Sequence, residues 1–272
     1  MNRKLRRRYD NIARTGEQGL VRHSHIFRPD LMGQIVGAID FKKLPINIVI
    51  YDVGCGEGHL GFSILKASGE YGKSAKLRLI DFSGGMLQLA SRRAMSEKYA
   101  ERVKLFGEDM TDYFSRIGPG SAGVIAGKSF LQDIPAKLQP NLLRDFWKAL
   151  APEGQFVGLV YCATSKTQGL VNSLVALKDM LTKHYDPNQP RYIATKEELM
   201  TWLKSAGFRE IEICTRGTSL INYFEAGELH LWQKIAWLDQ VEEWEEKGGD
   251  ISCMKKDRMA YELPYVIIQA VR

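Results

Sequence analysis

The segment from residue 46 to residue 58 limits the fold more than any other part of the chain. Residues 46–53 form a short apolar run rich in β-branched side chains, which predicts a buried strand. Asp52 stands near the end of this run, and Gly54, Gly56 and Gly58 follow at every second position. Glycines between a strand and a helix let the backbone approach a ligand closely, and the helix then offers unpaired N–H groups. The segment therefore predicts an α/β fold that binds a ligand at the end of this strand.

Strands and helices alternate along the rest of the chain. Strands are predicted at 46–53, 76–80, 103–106, 123–126, 155–161, 208–215 and 261–271. Helices are predicted at 30–40, 60–68, 85–99, 138–150, 169–184 and 226–247, and between a capping box at Thr195 and Gly207, with a turn at 151–154. Such alternation is typical of βαβ units with right-handed crossovers. We therefore expect a Rossmann-like α/β fold, with a mostly parallel seven-stranded sheet and helices on both faces.

The net charge is concentrated at the N-terminus. The chain carries a formal charge of +6, and its first eight residues contain five basic side chains and no acid. A nucleic-acid-binding protein spreads its basic residues over a face, so the nearly neutral remainder argues against that class. We interpret the basic run as a solvated or frayed arm.

The sequence also indicates a compartment. No apolar run is long enough to span a membrane, and the basic start is not followed by the apolar core of a secretory signal. The cysteines at 55, 162, 214 and 253 are widely spaced and form no CxxC pair, which argues against a disulfide framework and a metal cluster. We expect a cytoplasmic protein without a bound metal.

Two classes of nucleotide fit the glycine loop. Gly56–Gly61 satisfies G-x-G-x-x-G, and Asp81 lies 20 residues further on, as in nicotinamide-dependent oxidoreductases. However, Asp52 precedes the glycines, and its carboxylate would repel a pyrophosphate and attract a cationic amine and sulfonium. The order Asp52-x-Gly54-x-Gly56-x-Gly58 therefore favours a cationic ligand.

With this loop, the chain resembles class I S-adenosylmethionine-dependent methyltransferases, in the small-molecule branch, over roughly residues 46–161. In that family the loop holds the methionine moiety, an acid after the second strand holds the ribose and an acid after the third strand holds the adenine amino group. The residues that the resemblance assigns to S-adenosylmethionine are Asp52, Gly54, Cys55, Gly56, Gly58, Asp81, Phe82, Met86, Asp109, Met110 and Lys128. Taken singly, Asp81 could instead cap the following helix and Asp109 could be a solvated turn residue.

The resemblance also implies a domain organisation. Residues 1–45 are expected to form an N-terminal helical lid, and residues 46–272 the methyltransferase domain. Two insertions, at about 162–194 and 217–260, are expected to act as caps over the acceptor site. In the second insertion, an apolar stripe of Leu231, Trp232, Ile235 and Leu238 is suited to a lid, to a dimer contact or to packing on the protein's own sheet.

The acceptor is less well determined by the sequence. Residues 127–135 lack the N/D-P-P-Y/F pattern of enzymes that methylate base amines, and Gln132 and Asp133 replace a histidine common in the small-molecule branch. Candidate catalytic residues are therefore His23, His25 and Tyr9, and candidate acceptor-binding residues are Tyr161 and Trp232. We expect a small acceptor, of aromatic or apolar character. An RNA or protein methyltransferase and a non-catalytic binding subunit are the remaining alternatives.

Overall fold

A computed structural model describes residues 3–15, 29–181, 183, 185–222, 231–255 and 260–272. Its strands are β1 (Asn47–Val53), β2 (Ser74–Ile80), β3 (Val103–Phe106), β4 (Ala122–Lys128), β5 (Leu150–Tyr161), β6 (Arg209–Asn222), β7 (Met254–Lys255) and β8 (Ala260–Val271). Its α-helices are α1 (Arg3–Thr15), α2 (Pro29–Gly37), α3 (His59–Glu70), α4 (Gly84–Ser96), α5 (Met110–Arg116), α6 (Gln139–Ala149), α7 (Gln168–Leu181), α8 (Lys196–Ala206) and α9 (Leu231–Glu246).

The described strands form one mixed sheet, which confirms the predicted fold class. Seven strands pair in the order β3-β2-β1-β4-β5-β8-β6, and β7 adds two residues beside β8. The pairs from β3 to β5 are parallel, whereas β8 runs antiparallel to both β5 and β6. The strand order reverses between β1 and β4, and ligands of open α/β sheets bind at such a switch point, outside the carboxyl ends of the strands.

Alternating side chains divide the core between the two faces of the sheet. In β1, Ile48 and Ile50 pack with the apolar sides of α2, α3 and α7, whereas Tyr51 and Val53 pack with those of α5, α6 and α8. This period of two is what a strand covered on both faces requires. The sheet is therefore buried between two helical layers, and its carboxyl-end edge is left to hold a ligand.

Several boundaries differ from the sequence prediction. The predicted turn at 151–154 lies inside β5 as an irregularity, where Ala122 pairs with Leu150 but Val124 pairs with Gln155. The sixth strand extends to Asn222, beyond its predicted end at residue 215. The helix α5 and the short strand β7 were not predicted because they are too brief to show a periodic pattern.

The buried face of α9 differs from the predicted stripe at Ile235. Trp237 and Val241 are fully buried, and Leu238 and Trp244 pack against the same core cluster, whereas Ile235 is 48% exposed. The side chains of residues 231 and 232 lie outside the described set. The helix therefore binds this protein's own core through a face centred on Trp237, because the large indole buries more apolar area than the isoleucine does.

The basic run at the N-terminus is a helix, which corrects its interpretation as a frayed arm. Leu5 and Ala13 of α1 are buried, and Ala13 packs against Gly85 at the start of α4. A Cβ atom at Gly85 would lie 2.8 Å from the Cβ of Ala13, so glycine permits this close approach. The Lys4 Nζ donates to the carbonyl of Tyr185 over 2.9 Å. Arg3, Lys4 and Arg7 thus occupy the exposed side of a packed helix.

The predicted capping box of α8 is confirmed. The hydroxyl of Thr195 accepts a hydrogen bond from the backbone N–H of Glu198 over 3.1 Å, and the Glu198 carboxylate accepts from the N–H of Thr195 over 2.8 Å. Gly207 ends the helix with a φ of 107°.

We expect Thr195→Ala to lower the free energy of unfolding by about 1 kcal/mol, since one N–H group of the first turn loses its acceptor. Urea titration followed by circular dichroism measures this loss. The exposed Thr201 of the same helix provides the control, because Thr201→Ala removes a hydroxyl that caps nothing and should change the value by less than about 0.5 kcal/mol. Equal losses in the two variants would contradict a capping role.

No helix among the described residues has the length and apolar character that crossing a membrane requires.

Candidate active site

The glycine loop turns sharply between β1 and α3. Gly54 and Gly56 have φ values of 62° and 52°, which place both in the left-handed region that favours glycine. At Gly54 a Cβ atom would lie 2.9 Å from the Cβ of Phe130, whereas at Gly56 it would meet no atom within 4 Å. The loop is thus packed against the protein on one side and faces open space at Gly56.

Asp81 ties this loop to the end of β2. Its Oδ2 accepts a hydrogen bond from the Gly56 N–H over 2.9 Å, and its Oδ1 accepts from the Ser83 N–H over 2.8 Å. Burial raises the pKa of Asp81 to about 6, against the opposing effect of these two hydrogen bonds. Ser83 accepts from the Met86 N–H and so caps α4 itself, which excludes the capping role considered for Asp81.

Asp52 is buried beneath the loop at the end of β1. Its Oδ2 accepts from the Gly61 N–H over 2.8 Å, and a Cβ atom at Gly61 would lie only 2.9 Å from that oxygen. Burial raises the pKa of Asp52 to about 7, while Lys128 acts in the opposite direction. Burial also disfavours the charged form of Lys128 and lowers its pKa to about 8. These two side chains hold opposite charges between β1 and β4, at the switch point of the sheet.

Asp109 caps α5 and also lines a cavity at the carboxyl ends of the strands. Its Oδ1 accepts from the Thr111 N–H over 2.9 Å and from the Thr111 hydroxyl over 2.6 Å. Asp109 is therefore a helix cap and not the solvated turn residue of the alternative interpretation. Met110, the next residue, is buried beside it.

These residues surround a cavity of about 290 Å³ at the carboxyl ends of the strands. All the residues assigned to S-adenosylmethionine line it except Gly58. Gly58 has a φ of 81° and lies beside Phe62 and Leu79, so it serves the entry into α3 and not the cavity surface. Tyr161 lines the cavity from β5.

The helix α1 lies across this cavity. Leu5, Arg8 and Tyr9 line it, and the ring of Tyr9 packs edge-on against Phe82 with their centroids 5.7 Å apart. Asp10 accepts hydrogen bonds from the Ser83 hydroxyl, over 2.7 Å, and from the Gly85 N–H, over 3.2 Å. The helix is thus held by the same α4 terminus that follows Asp81.

A buried polar network joins α1 to the first insertion. The Tyr9 hydroxyl donates to Asp133 Oδ2 over 2.8 Å, and Arg191 lies 3.4 Å from Asp133 Oδ1. Arg191 also donates to both carboxylate oxygens of Asp179, over 2.7 and 2.8 Å. Burial and Asp133 raise the pKa of Tyr9, so its hydroxyl stays protonated and donates. Tyr9 therefore acts in this network as a hydrogen-bond donor.

Three predicted residues could not be placed in the site. His23 and His25 lie outside the described residues, as does the side chain of Trp232. The sequence analysis missed Asp10, Asp179 and Arg191 altogether, and noted Asp133 only as a departure from the family pattern. Their roles depend on contacts between distant segments. Only the position of Asp133, directly after the fourth strand, was a signal in the sequence.

A family model described as a methyltransferase domain matches residues 46–207. The matched segment contains the glycine loop, β2, β3 and the polar residues of the first insertion. No curated protein matches the sequence.

Solved structures share the fold at low sequence identity. The YcgJ protein from Bacillus subtilis superimposes with a TM-score of 0.67 at 14% identity, over 89% of this chain and 97% of that one. Phosphoethanolamine N-methyltransferase 2 from Haemonchus contortus gives a TM-score of 0.58 at 18% identity, over 96% of this chain and 59% of that one. Geranyl diphosphate C-methyltransferase from Streptomyces coelicolor gives 0.57 at 13% identity, over 94% and 83%.

Proposed function

The chain belongs to the family of class I methyltransferase domains that use S-adenosylmethionine, and on this premise we propose that it methylates a small organic acceptor. The observation that carries the proposal is the lining of one cavity, which we describe in two halves according to the strand ends nearest to its residues. The first half lies over the ends of β1, β2 and β3 and is acidic, with Asp52, Asp81 and Asp109. The second half lies toward β4, β5 and the first insertion, and we assign it to the acceptor.

The residues of the first half fit the methyl donor. The open space at Gly56 lets a ligand lie against the loop backbone. Each oxygen of Asp81 accepts one backbone hydrogen bond and retains a lone pair for a ribose hydroxyl. Asp109 would accept from the adenine amino group, and Asp52 would face the cationic amine. The apolar side chains available to the adenine are Phe82, Met86 and Met110.

Methyl transfer needs alignment more than proton transfer. When bound, S-adenosylmethionine would supply a methyl group on its sulfonium. An electron pair of the acceptor would form the new bond to the methyl carbon, and the electron pair of the broken bond would stay on sulfur. The protein has to hold the acceptor behind that carbon and exclude water. In our proposal α1 excludes water as a lid, and the Tyr9–Asp133 hydrogen bond keeps it closed.

The second half of the cavity supports a small acceptor. Its lining includes the apolar side chains of Val175, Ile193 and Leu263, together with the ring of Tyr161. These favour an acceptor with an apolar or aromatic body. An RNA or a folded protein would have to displace α1 from Ser83 and Gly85 before it could enter, which disfavours the polymer alternative.

We further propose a narrower division of lid and cap than the sequence indicates. The lid is α1, whereas α2 packs in the core through Leu31 and Ile35 and contributes Met32 to the cavity wall. The cap is the insertion at about 162–194, which contributes Val175 and Ile193 to the cavity. No described residue of α9 lines the cavity.

Formation of S-adenosylhomocysteine, measured across a panel of small hydroxyl, amine and carbon acceptors, tests the function. We expect turnover of at least one acceptor and calorimetric binding of both S-adenosylmethionine and its demethylated product. A natively folded protein that binds neither compound would contradict the proposal.

We also expect the affinity for S-adenosylmethionine to fall roughly tenfold between pH 8 and pH 6. The pKa values of Asp81 and Asp52 are about 6 and 7, so both carboxylates take up protons as the pH falls through this range. Protonated Asp81 is a poorer acceptor for the ribose hydroxyls, and protonated Asp52 attracts the cationic amine less. Binding should therefore release protons, which calorimetry in two buffers of different ionisation enthalpy detects. Asp52→Asn should flatten the dependence near pH 7. An affinity that is constant from pH 6 to pH 8 would show that neither carboxylate titrates in the site.

A further inference from the structure

Three basic side chains from separate segments line the second half of the cavity. They are Arg8 of α1, Lys178 of α7 and Arg191 of the loop that follows α7. Lys178 directly precedes Asp179, the residue that holds Arg191. Arg8 directly precedes Tyr9, whose hydroxyl donates to Asp133, and Arg191 lies 3.4 Å from the same carboxylate, so Arg8 and Arg191 line neighbouring parts of the cavity. The fold therefore brings three cations together where the first half of the cavity has acids.

Among the described residues, two carboxylates, those of Asp179 and Asp133, lie beside these three cations. Asp179 faces Arg191 in a two-point ion pair, and its side chain is only 6% exposed. Asp133 is shared between Arg191 and the Tyr9 hydroxyl. Among the described residues that line this half, Asp133 is the only carboxylate. Counted over the described residues, positive side chains therefore outnumber carboxylates in the second half of the cavity.

The surroundings strengthen this charge. Leu5, Val175 and Ile193 line the same part of the cavity, and charges interact more strongly beside apolar walls than in water. Guanidinium groups also present paired donors that match the oxygens of phosphate and carboxylate.

We propose that the acceptor carries an oxyanion, which binds between Arg8, Lys178 and Arg191 while the body of the acceptor reaches toward the methyl group. This inference rests on the proposed function, since it assigns the substrate class of the same cavity. It also gives α1 a role in selection, because the helix contributes Arg8 to the oxyanion site only when it lies across the cavity.

Calorimetry on the protein saturated with S-adenosylhomocysteine tests the proposal. Inorganic pyrophosphate and malonate serve as probes and distinguish a phosphate site from a carboxylate site. We expect saturable binding of at least one probe, weakened about fivefold or more by Arg8→Gln and by Lys178→Gln, and weakened further by added sodium chloride. The control is Arg7→Gln, which removes an exposed charge from the neighbouring position of α1 and should leave the affinity unchanged.

A second measurement uses pairs of acceptors that differ only in a phosphate or carboxylate group. Faster release of S-adenosylhomocysteine with the charged member of a pair supports the proposal. Three results would overturn it. They are equal turnover of the neutral and charged members of each pair, no saturable binding of either probe, and equal losses of probe affinity in Arg7→Gln and Arg8→Gln. Binding of S-adenosylhomocysteine, measured first in each sample, separates the two hypotheses. If it binds and the probes do not, only the oxyanion site is wrong.

Discussion

Asp81→Ala is expected to weaken binding of S-adenosylmethionine about 100-fold. The complex would lose two charge-assisted hydrogen bonds between the Asp81 carboxylate and the ribose, each contributing about 1.5 kcal/mol. The total of about 3 kcal/mol corresponds to roughly two orders of magnitude in the dissociation constant. The variant also removes the acceptor of the Gly56 N–H and so loosens the glycine loop. Isothermal titration calorimetry measures the change directly.

Two further variants show whether this loss is specific. Asp81→Asn keeps the shape of the side chain but replaces one of its two oxygens with an NH₂ group. Each oxygen of Asp81 accepts from a different N–H group, that of Gly56 or that of Ser83, so the amide can keep only one of these hydrogen bonds. We therefore expect nearly the same loss of affinity. Asp239→Ala, at an exposed position of α9, should bind as the wild type does. Thermal unfolding of each variant without ligand shows whether the fold is kept. A folded Asp81→Ala protein that binds within fivefold of the wild type would rule out the assigned role.

Arg191→Gln is expected to lower the free energy of unfolding by about 3–5 kcal/mol. The change removes the guanidinium that pairs with both oxygens of the buried Asp179 carboxylate, and removal of one member of a buried ion pair is strongly destabilising. Urea unfolding measures the loss. Arg209→Gln removes an exposed guanidinium that pairs with Glu153, and should cost no more than about 1 kcal/mol.

A double variant tests the mechanism of this destabilisation. Arg191→Gln combined with Asp179→Asn removes both charges, so we expect it to recover a substantial part of the stability lost in the single variant. Losses that simply add would mean that the two side chains do not interact, and that the effect of Arg191 comes from packing alone.

The parts of the fold that the sequence predicted are those with local signals. The glycine loop, the capping box of Thr195 and most strands of the parallel sheet are encoded in spacing that spans a few residues. These signals also placed Asp52, Asp81 and Asp109 around one cavity, because the carboxyl ends of parallel strands meet at one edge.

The remaining parts depend on contacts between distant segments. No local pattern indicates that Asp10 binds Ser83, or that Tyr9 reaches Asp133 across 124 positions of sequence. The basic composition of α1 concealed its packing because only Leu5 and Ala13 are buried. In α9 the apolar residues are too numerous for periodicity to select the face of Trp237.

Gly58 illustrates a different limit. The motif groups it with Gly54 and Gly56. However, Gly54 and Gly56 line the cavity, whereas Gly58 lies against Phe62 and Leu79. Within one short loop, identical residues serve ligand approach and helix packing. Spacing alone does not distinguish these roles.

The position of β8 has a consequence for biosynthesis. Among the described strands, β6 pairs only with β8, which is inserted between it and β5 and follows it in the chain. On the ribosome, β6 therefore emerges before its only described neighbour exists, while β1 to β4 already have their partners and β5 lacks only β8. We expect the cofactor half of the protein to become compact during translation, whereas β6 and the outer edge of β5 expose unpaired backbone until β8 is released. Nascent chains arrested before residue 260 should accordingly be the ones that chaperones bind.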